Sequence, residues 1–240
     1  MTQTSVPDVV ALVFDVFGTV VDWRSSIIRE LEAFGRERHV SADWTAFADT
    51  WRAGYQPAMD RVRKGEIGWT VLDELHRETL LALLPKFGIG GLSEADIHHL
   101  VHAWHRLDPW PDAVQGLTRL KRRYIIGTLS NGNVALLLNM AKRAGLPWDM
   151  IFSAELARHY KPAPETYRSV PGFLRVEAGQ VMLVAAHNND LIAARREGIK
   201  TGFVARPTEY GPHQTRDLKA EHDYDVVARD FVHLAELMGA

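Results

Sequence analysis

The sequence predicts an α/β fold, a doubly wound parallel sheet interrupted by a long helical insert. Three observations predict it. Short apolar, β-branched runs recur at residues 9–14, 124–129, 150–152, 181–184 and 201–204. Apart from the weaker run at 150–152, they read as strands buried on both faces, the signature of a parallel sheet. Helical patterns fall between them at residues 112–121, 134–144, 164–174 and 189–197, and this alternation argues a doubly wound core. The third observation is a gap: residues 15–123 separate the first two runs. Within it, residues 25–38, 43–64, 69–84 and 93–105 read as successive helices, with Gly88-Ile89-Gly90-Gly91 as a break before the last. The expected division is a core of residues 1–22 and 106–240 and a helical cap of residues 23–105. Trp23, Trp44, Trp51, Trp69 and Trp104 all lie in the cap or at its entrance.

Composition narrows the function. The chain has 240 residues, 46% hydrophobic and 24% charged, ordinary for a water-soluble globular protein. A net charge of −2 excludes a bulk basic field, so neither nucleic acid nor an anionic membrane is an expected partner. The absence of cysteine removes disulfides, thiolate catalysis and Cys-ligated metals. The early apolar stretch ending at Asp15 is too short to span a bilayer, and residues 1–7 lack the basic segment of a signal peptide. A cytoplasmic protein is the expectation.

In open α/β sheets, ligands bind beyond the carboxyl ends of the strands. Four candidates stand there. Asp15 ends the first strand and precedes Val16-Phe17-Gly18-Thr19. Ser130-Asn131-Gly132 follows the second, where hydroxyl, amide and backbone N–H groups suit an anion. Lys161 is bracketed by proline in Lys161-Pro162-Ala163-Pro164, which restricts its backbone. Asp190 follows the fourth strand after Ala185-Ala186-His187-Asn188-Asn189. Each has a plainer reading: a turn aspartate, a helix cap, a solvated lysine, a helix-dipole partner.

Their order, however, resembles the haloacid dehalogenase superfamily, with its Rossmann-like core and inserted cap, and the resemblance covers essentially the whole chain. Phosphatases of that superfamily carry a second aspartate two residues after the first, and an acid soon after strand four for Mg²⁺. Phe17 and Ala185-Ala186-His187 occupy those places here. Phe17 cannot move a proton, so a superfamily phosphatase is the alternative rather than the main reading. Asp-x-Phe-Gly-Thr, Val21-Asp22, Trp51-Arg52, Ser130-Asn131-Gly132 and Lys161 with Tyr167 resemble the type II, or L-2-haloacid, dehalogenases.

That resemblance implies hydrolytic dehalogenation of short 2-haloalkanoic acids, with no metal or other cofactor. Asp15 would displace the halide and form an ester that water then cleaves. Lys161 would keep Asp15 ionised and Thr19 would orient it. Arg52, with Asn131, would receive the halide. Ser130, with backbone N–H groups of the Asp15 turn, would hold the carboxylate. Val16, Phe17 and Asn188 would line the substrate, Tyr167 would support Lys161, and Asp190 would orient or activate water. A homodimer is implied likewise. The chain departs from the pattern after strand four: His187 stands where an asparagine is expected, and Asn189 replaces an aromatic residue before Asp190. His187 is either a general base for water or a hydrogen-bonding substitute for the amide. A more polar halide site would suit fluoride, so fluoroacetate is a further expected substrate. A noncatalytic carboxylate-binding relative is the remaining alternative.

Two features stay outside this scheme. His98, His99, His102 and His105 cluster on one expected helix, with His98 and His102 at a possible metal spacing but no flanking glutamate, so a polar helix face is expected. Arg206-Pro207-Thr208-Glu209-Tyr210-Gly211-Pro212, after strand five, reads as a rigid surface loop or a substrate gate.

Overall fold

The computed structural model describes residues 8–240; residues 1–7, which bear on the reading of a leader, lie outside the described residues. β1 (Ala11–Phe14) leads through a tight turn to the short β2 (Val21–Asp22). Five helices follow: α1 (Trp23–Arg38), α2 (Trp44–Ala53), α3 (Tyr55–Arg63), α4 (Leu72–Leu83) and α5 (Glu94–Val101). Two 3-10 turns, Leu84–Phe87 and His102–Arg106, end the last two of these. β3 (Asp108–Pro109) pairs antiparallel with β2, so the helical segment leaves and re-enters at one two-stranded neck. The chain continues with α6 (Ala113–Leu120), β4 (Ile125–Ser130), α7 (Val134–Ala144), β5 (Met150–Ser153), α8 (Ala154–Ala157) and α9 (Pro164–Leu174). It closes with β6 (Val181–Ala185), α10 (Asn188–Arg196), β7 (Lys200–Val204), β8 (Val226–Ala228) and α11 (Phe231–Leu237).

The six-stranded sheet is parallel throughout, in the order β5-β4-β1-β6-β7-β8. From β1 the chain first winds outward through β4 and β5, then returns to β6 on the other side. β1 therefore sits at the point where the winding reverses, the place where α/β sheets open a crevice. Its residues alternate between two cores, as the two-residue strand period requires. Leu12 and Phe14 enter the core shared with the helical segment, and Ala11 and Val13 enter the one beneath α9 and α10. Trp23, Trp51 and Trp104 are fully buried in the first core, which runs without a break from the sheet into the helical segment.

The expected helix over residues 43–64 is two helices. Pro57 has no N–H to give the Ala53 carbonyl, so the ladder cannot run through. The chain restarts at Gly54, whose carbonyl takes the Ala58 N–H at 3.1 Å. The break brings Arg52 over the ring of Tyr55, 4.1 Å from its centroid. β2, β3 and β8 are strands that the sequence reading does not contain; the first two have two residues each, and β8 carries the sixth place in the sheet. β8 is three residues long with Val227 half exposed, too short for a periodic signal. Among the described residues, no helix is long and apolar enough to cross a membrane.

Candidate active site

Asp15 stands one residue past the end of β1, and its N–H donates to the Val184 carbonyl at 3.0 Å. The strand before it is buried on all four residues, which carries the carboxylate into the interior. The following turn closes through the Val20 N–H on the Val16 carbonyl at 2.9 Å and places Thr19 back over Asp15. Thr19 Oγ1 donates to Asp15 Oδ2 at 2.8 Å and accepts the Ala186 N–H at 2.9 Å. His187 Nδ1 meets the same Oδ2 at 3.0 Å. Among the described residues, Oδ1 has one partner, Lys161 Nζ at the long distance of 3.4 Å. Asp15 thus has one saturated oxygen and one free enough to attack.

Lys161 follows the loop after α8 and is held by its backbone as well as its charge. Its N–H donates to Asn131 Oδ1 at 2.8 Å, and its carbonyl accepts from Arg63 Nη2 of the helical segment. Its Nζ donates to Asp190 Oδ2 at 2.6 Å, while Tyr167 Oη donates to Asp190 Oδ1 at 2.6 Å. Both Asp190 oxygens are therefore committed, which fits orienting Lys161 rather than activating water. Burial by itself would raise the Asp15 carboxyl, but Lys161, His187 and Thr19 together hold it well below the usual carboxylate range. Burial would lower Lys161, and Asp190 and Asp15 outweigh it, so the ammonium stays charged.

The second nitrogen of His187 brings in a residue the sequence reading passed over. Nε2 lies 2.9 Å from Glu209 Oε2, and Trp23 Nε1 donates to Glu209 Oε1 at 3.0 Å. Glu209 is fully buried. The loop read as surface or gate is instead anchored inward. Arg206 makes two bonds of 2.8 Å to Asp112 and a third, of 2.9 Å, to the Thr19 carbonyl. Gly18 has φ +85, and a Cβ there would lie 2.1 Å from Glu209 Oε1, so glycine serves both the turn and the approach of Glu209. Glu209 carried only the weak signal of an acid in a Pro- and Gly-punctuated loop.

Burial would lower the proton affinity of His187, but Glu209 and Asp15 raise it well above that of a free imidazole. With anions on both nitrogens the resting ring carries two N–H donors, so it is not a free base. A group whose proton affinity rises on folding stabilises fully below its unfolded value, near 6.5, and loses that contribution as pH climbs through the folded value. His187→Gln is therefore expected to flatten the alkaline side of the stability curve. Thermal melts of wild type and variant should differ most at about pH 5 and approach one another as the pH is raised through the alkaline range. A constant difference across that range would contradict the charge assignment.

Arg52 is half-buried, its Nη1 fully enclosed, among the faces of Tyr55, Trp23 and Phe17, at 4.1, 5.2 and 5.9 Å from their centroids. Its pKa is raised: burial works against the charge, but Tyr55, Tyr210, Glu209 and Asp15 favour it. Ser130 is buried and its Oγ accepts the Gly132 N–H at 3.2 Å, which leaves its own proton to give. Val16 and Phe17 are buried beside Asp15, and Phe17 packs edge-on to Tyr55 and Trp104. Asn188 departs from its expected substrate-binding place. Its amide binds Asp217 Oδ1 at 2.9 Å and the Lys219 carbonyl, and its oxygen accepts from Glu221 N–H and Tyr224 Oη. Every polar atom of that side chain is spent on the 217–224 loop, so it ties down the loop instead of facing a substrate.

Three imidazoles of the histidine cluster stack on one another, with centroids 3.9 Å apart for His98 and His102 and 4.3 Å for His102 and His105, while His99 stacks on Phe34. His105 then binds Asp73 through Nε2 and Asn139 through Nδ1. The cluster joins helical segment to core: Asp73 also takes Asn133 Nδ2 at 2.8 Å, and Tyr160 Oη donates to the Thr70 carbonyl at 2.7 Å.

A family model described as haloacid dehalogenase-like hydrolase matches residues 9–198. The (S)-2-haloacid dehalogenase of Xanthobacter autotrophicus is 30% identical over 203 residues, 82% of this chain and 75% of that protein. A solved defluorinating L-2-haloacid dehalogenase is 46% identical, with a TM-score of 0.95 over 100% of this chain and 98% of its own. Another solved L-2-haloacid dehalogenase is 49% identical, with a TM-score of 0.94 over 96% of this chain and 99% of its own. The chain belongs to the haloacid dehalogenase-like hydrolases and, within them, to the 2-haloacid dehalogenases, hydrolases that act on carbon–halide bonds.

Proposed function

We propose that this chain hydrolyses short 2-haloalkanoic acids to 2-hydroxy acids through an ester on Asp15, needing no metal. One observation carries the reading: a buried carboxylate kept ionised by Lys161, with Oδ1 nearly free, shares its field with the half-buried Arg52. Oδ1 attacks carbon 2 from the side opposite the halide, and the halide leaves toward Arg52, a permanent cation. Ser130 and N–H groups of the Asp15 turn hold the substrate carboxylate.

Once Oδ1 is alkylated, Oδ2 becomes the ester carbonyl oxygen. Thr19 and His187 are already aimed at it and stabilise the negative charge that grows there as water adds. This oxyanion role takes the place of the general-base role, because the ring enters the step protonated. The Cγ–Oδ1 bond then breaks: Lys161 Nζ, beside Oδ1, gives a proton to the departing alkoxide and regains one from the added water, the water's other proton passes to solvent, and Asp15 returns as a carboxylate. Glu209 keeps His187 charged after Asp15 has lost its own charge. Phe17 in place of a second aspartate weighs against phosphate monoesters.

The (S)-2-haloacid dehalogenases among the relatives support (S) enantiomers of chiral substrates, and the defluorinating relative supports fluoroacetate as a further substrate. Purified protein without added divalent ion is expected to release one chloride per (S)-2-chloropropionate and to yield the (R)-2-hydroxy acid. Absence of chloride release, together with Mg²⁺-dependent turnover of p-nitrophenyl phosphate, would favour the phosphatase reading.

A further inference from the structure

Most of the buried polar atoms that lack a partner gather in one place. Among the described residues, the atoms without a partner are Arg52 Nη1, Arg63 Nε, Asn133 Oδ1, Trp104 Nε1 and both ring nitrogens of His76. Arg52, His76 and Trp104 share one aromatic enclosure. His76 stacks on Trp104 with centroids 4.4 Å apart, and the Tyr55 ring lies 6.2 Å from His76 on one side and under Arg52 on the other. Trp104 packs edge-on to Phe17 at 6.1 Å, two residues from Asp15. His76 is 2% exposed and Trp104 0%, so solvent does not satisfy these groups.

A buried donor without an acceptor is costly, and three side chains that each hold an unpaired N–H in one enclosure point to an acceptor that meets them. An arginine and an indole only donate, so the ligand is an acceptor, and the arginine makes it an anion. We propose that His76 and Trp104 join Arg52 as hydrogen-bond donors to the departing halide, and that this donor set favours the small halides, fluoride included. The inference rests on the reading of Arg52 as halide host. Attack by Asp15 Oδ1 forms the C–O bond while the electron pair of the carbon–halogen bond leaves with the halide. No proton is transferred in that step. Burial, aided by Arg52 and opposed by Asp73, pushes His76 down to about 3, so it stays neutral and keeps one N–H to donate. Fluoride, the strongest acceptor among the halides, gains most from such donors.

The test compares fluoroacetate with bromoacetate in wild type, His76→Phe and Trp104→Phe. Phenylalanine keeps an aromatic ring in the stack but removes the nitrogens. Each variant is expected to lose about ten- to a hundredfold in kcat on fluoroacetate, the scale of one hydrogen bond to a charged group, and less than about threefold on bromoacetate. His76→Gln, which keeps an N–H, is expected to recover part of the loss. Equal losses on both substrates in both variants, or a wild type that releases bromide but no fluoride, would overturn the inference while leaving the dehalogenase reading intact. A wild type that releases neither halide would remove both.

Discussion

Asp15→Asn is expected to cut halide release at least on the order of ten-thousand-fold while leaving a folded protein. The amide keeps the size of the side chain and an oxygen for Thr19, but it has no charge with which to displace a halide. Two charged pairs survive the change, since Lys161 still binds Asp190 and His187 still binds Glu209. Loss of activity with a retained cooperative melt therefore separates the nucleophile from a structural acid. Turnover within tenfold of wild type would mean that Asp15 is not the attacking group.

Lys161→Met is the second large effect. Lys161 is buried between Asp15 and Asp190, so methionine fills its volume but leaves two carboxylates without their cation. Removing one partner of a buried pair costs roughly 3–5 kcal/mol. Denaturant unfolding at neutral pH should show a loss of that size. Activity should fall by about a thousandfold, because Asp15 loses the leading cause of its ionisation and the departing alkoxide loses its proton donor. The pH profile carries the distinguishing signal. Without Lys161 the Asp15 proton is held more tightly, so residual activity should climb with pH where the wild type is flat. A variant with unchanged stability, or with a flat profile, would show that Lys161 does not set the state of Asp15.

The parts of this site that were legible in the sequence are those built from local rules. Asp15, Ser130-Asn131 and Asp190 each follow a buried parallel strand, and Lys161 sits between a loop and a proline-started helix. Chain order and turn chemistry alone put such residues at the carboxyl edge of a doubly wound sheet. The helical segment was legible for the same reason, from its periodicity, except where Pro57 splits one expected helix into two. Glu209, Tyr55, His76 and Trp104 were not legible as site residues, because they meet through distant packing. Glu209 reaches His187 from a loop after β7, across the gap that Gly18 leaves open. His76 and Trp104 look like ordinary core residues until their missing partners are counted. Asn188 shows the converse: the family resemblance implied that it lines the substrate, but the 217–224 loop takes up all of its side-chain hydrogen bonds.

A single turnover in ¹⁸O-water, with enzyme in excess over (S)-2-chloropropionate, addresses the covalent step itself. If the Asp15 oxygen attacks carbon and water attacks the resulting ester, ¹⁸O enters the peptide containing Asp15 and the first hydroxy acid carries ordinary oxygen. Hydroxy acid bearing ¹⁸O from the first turnover, with that peptide unlabelled, would mean that water displaces the halide directly.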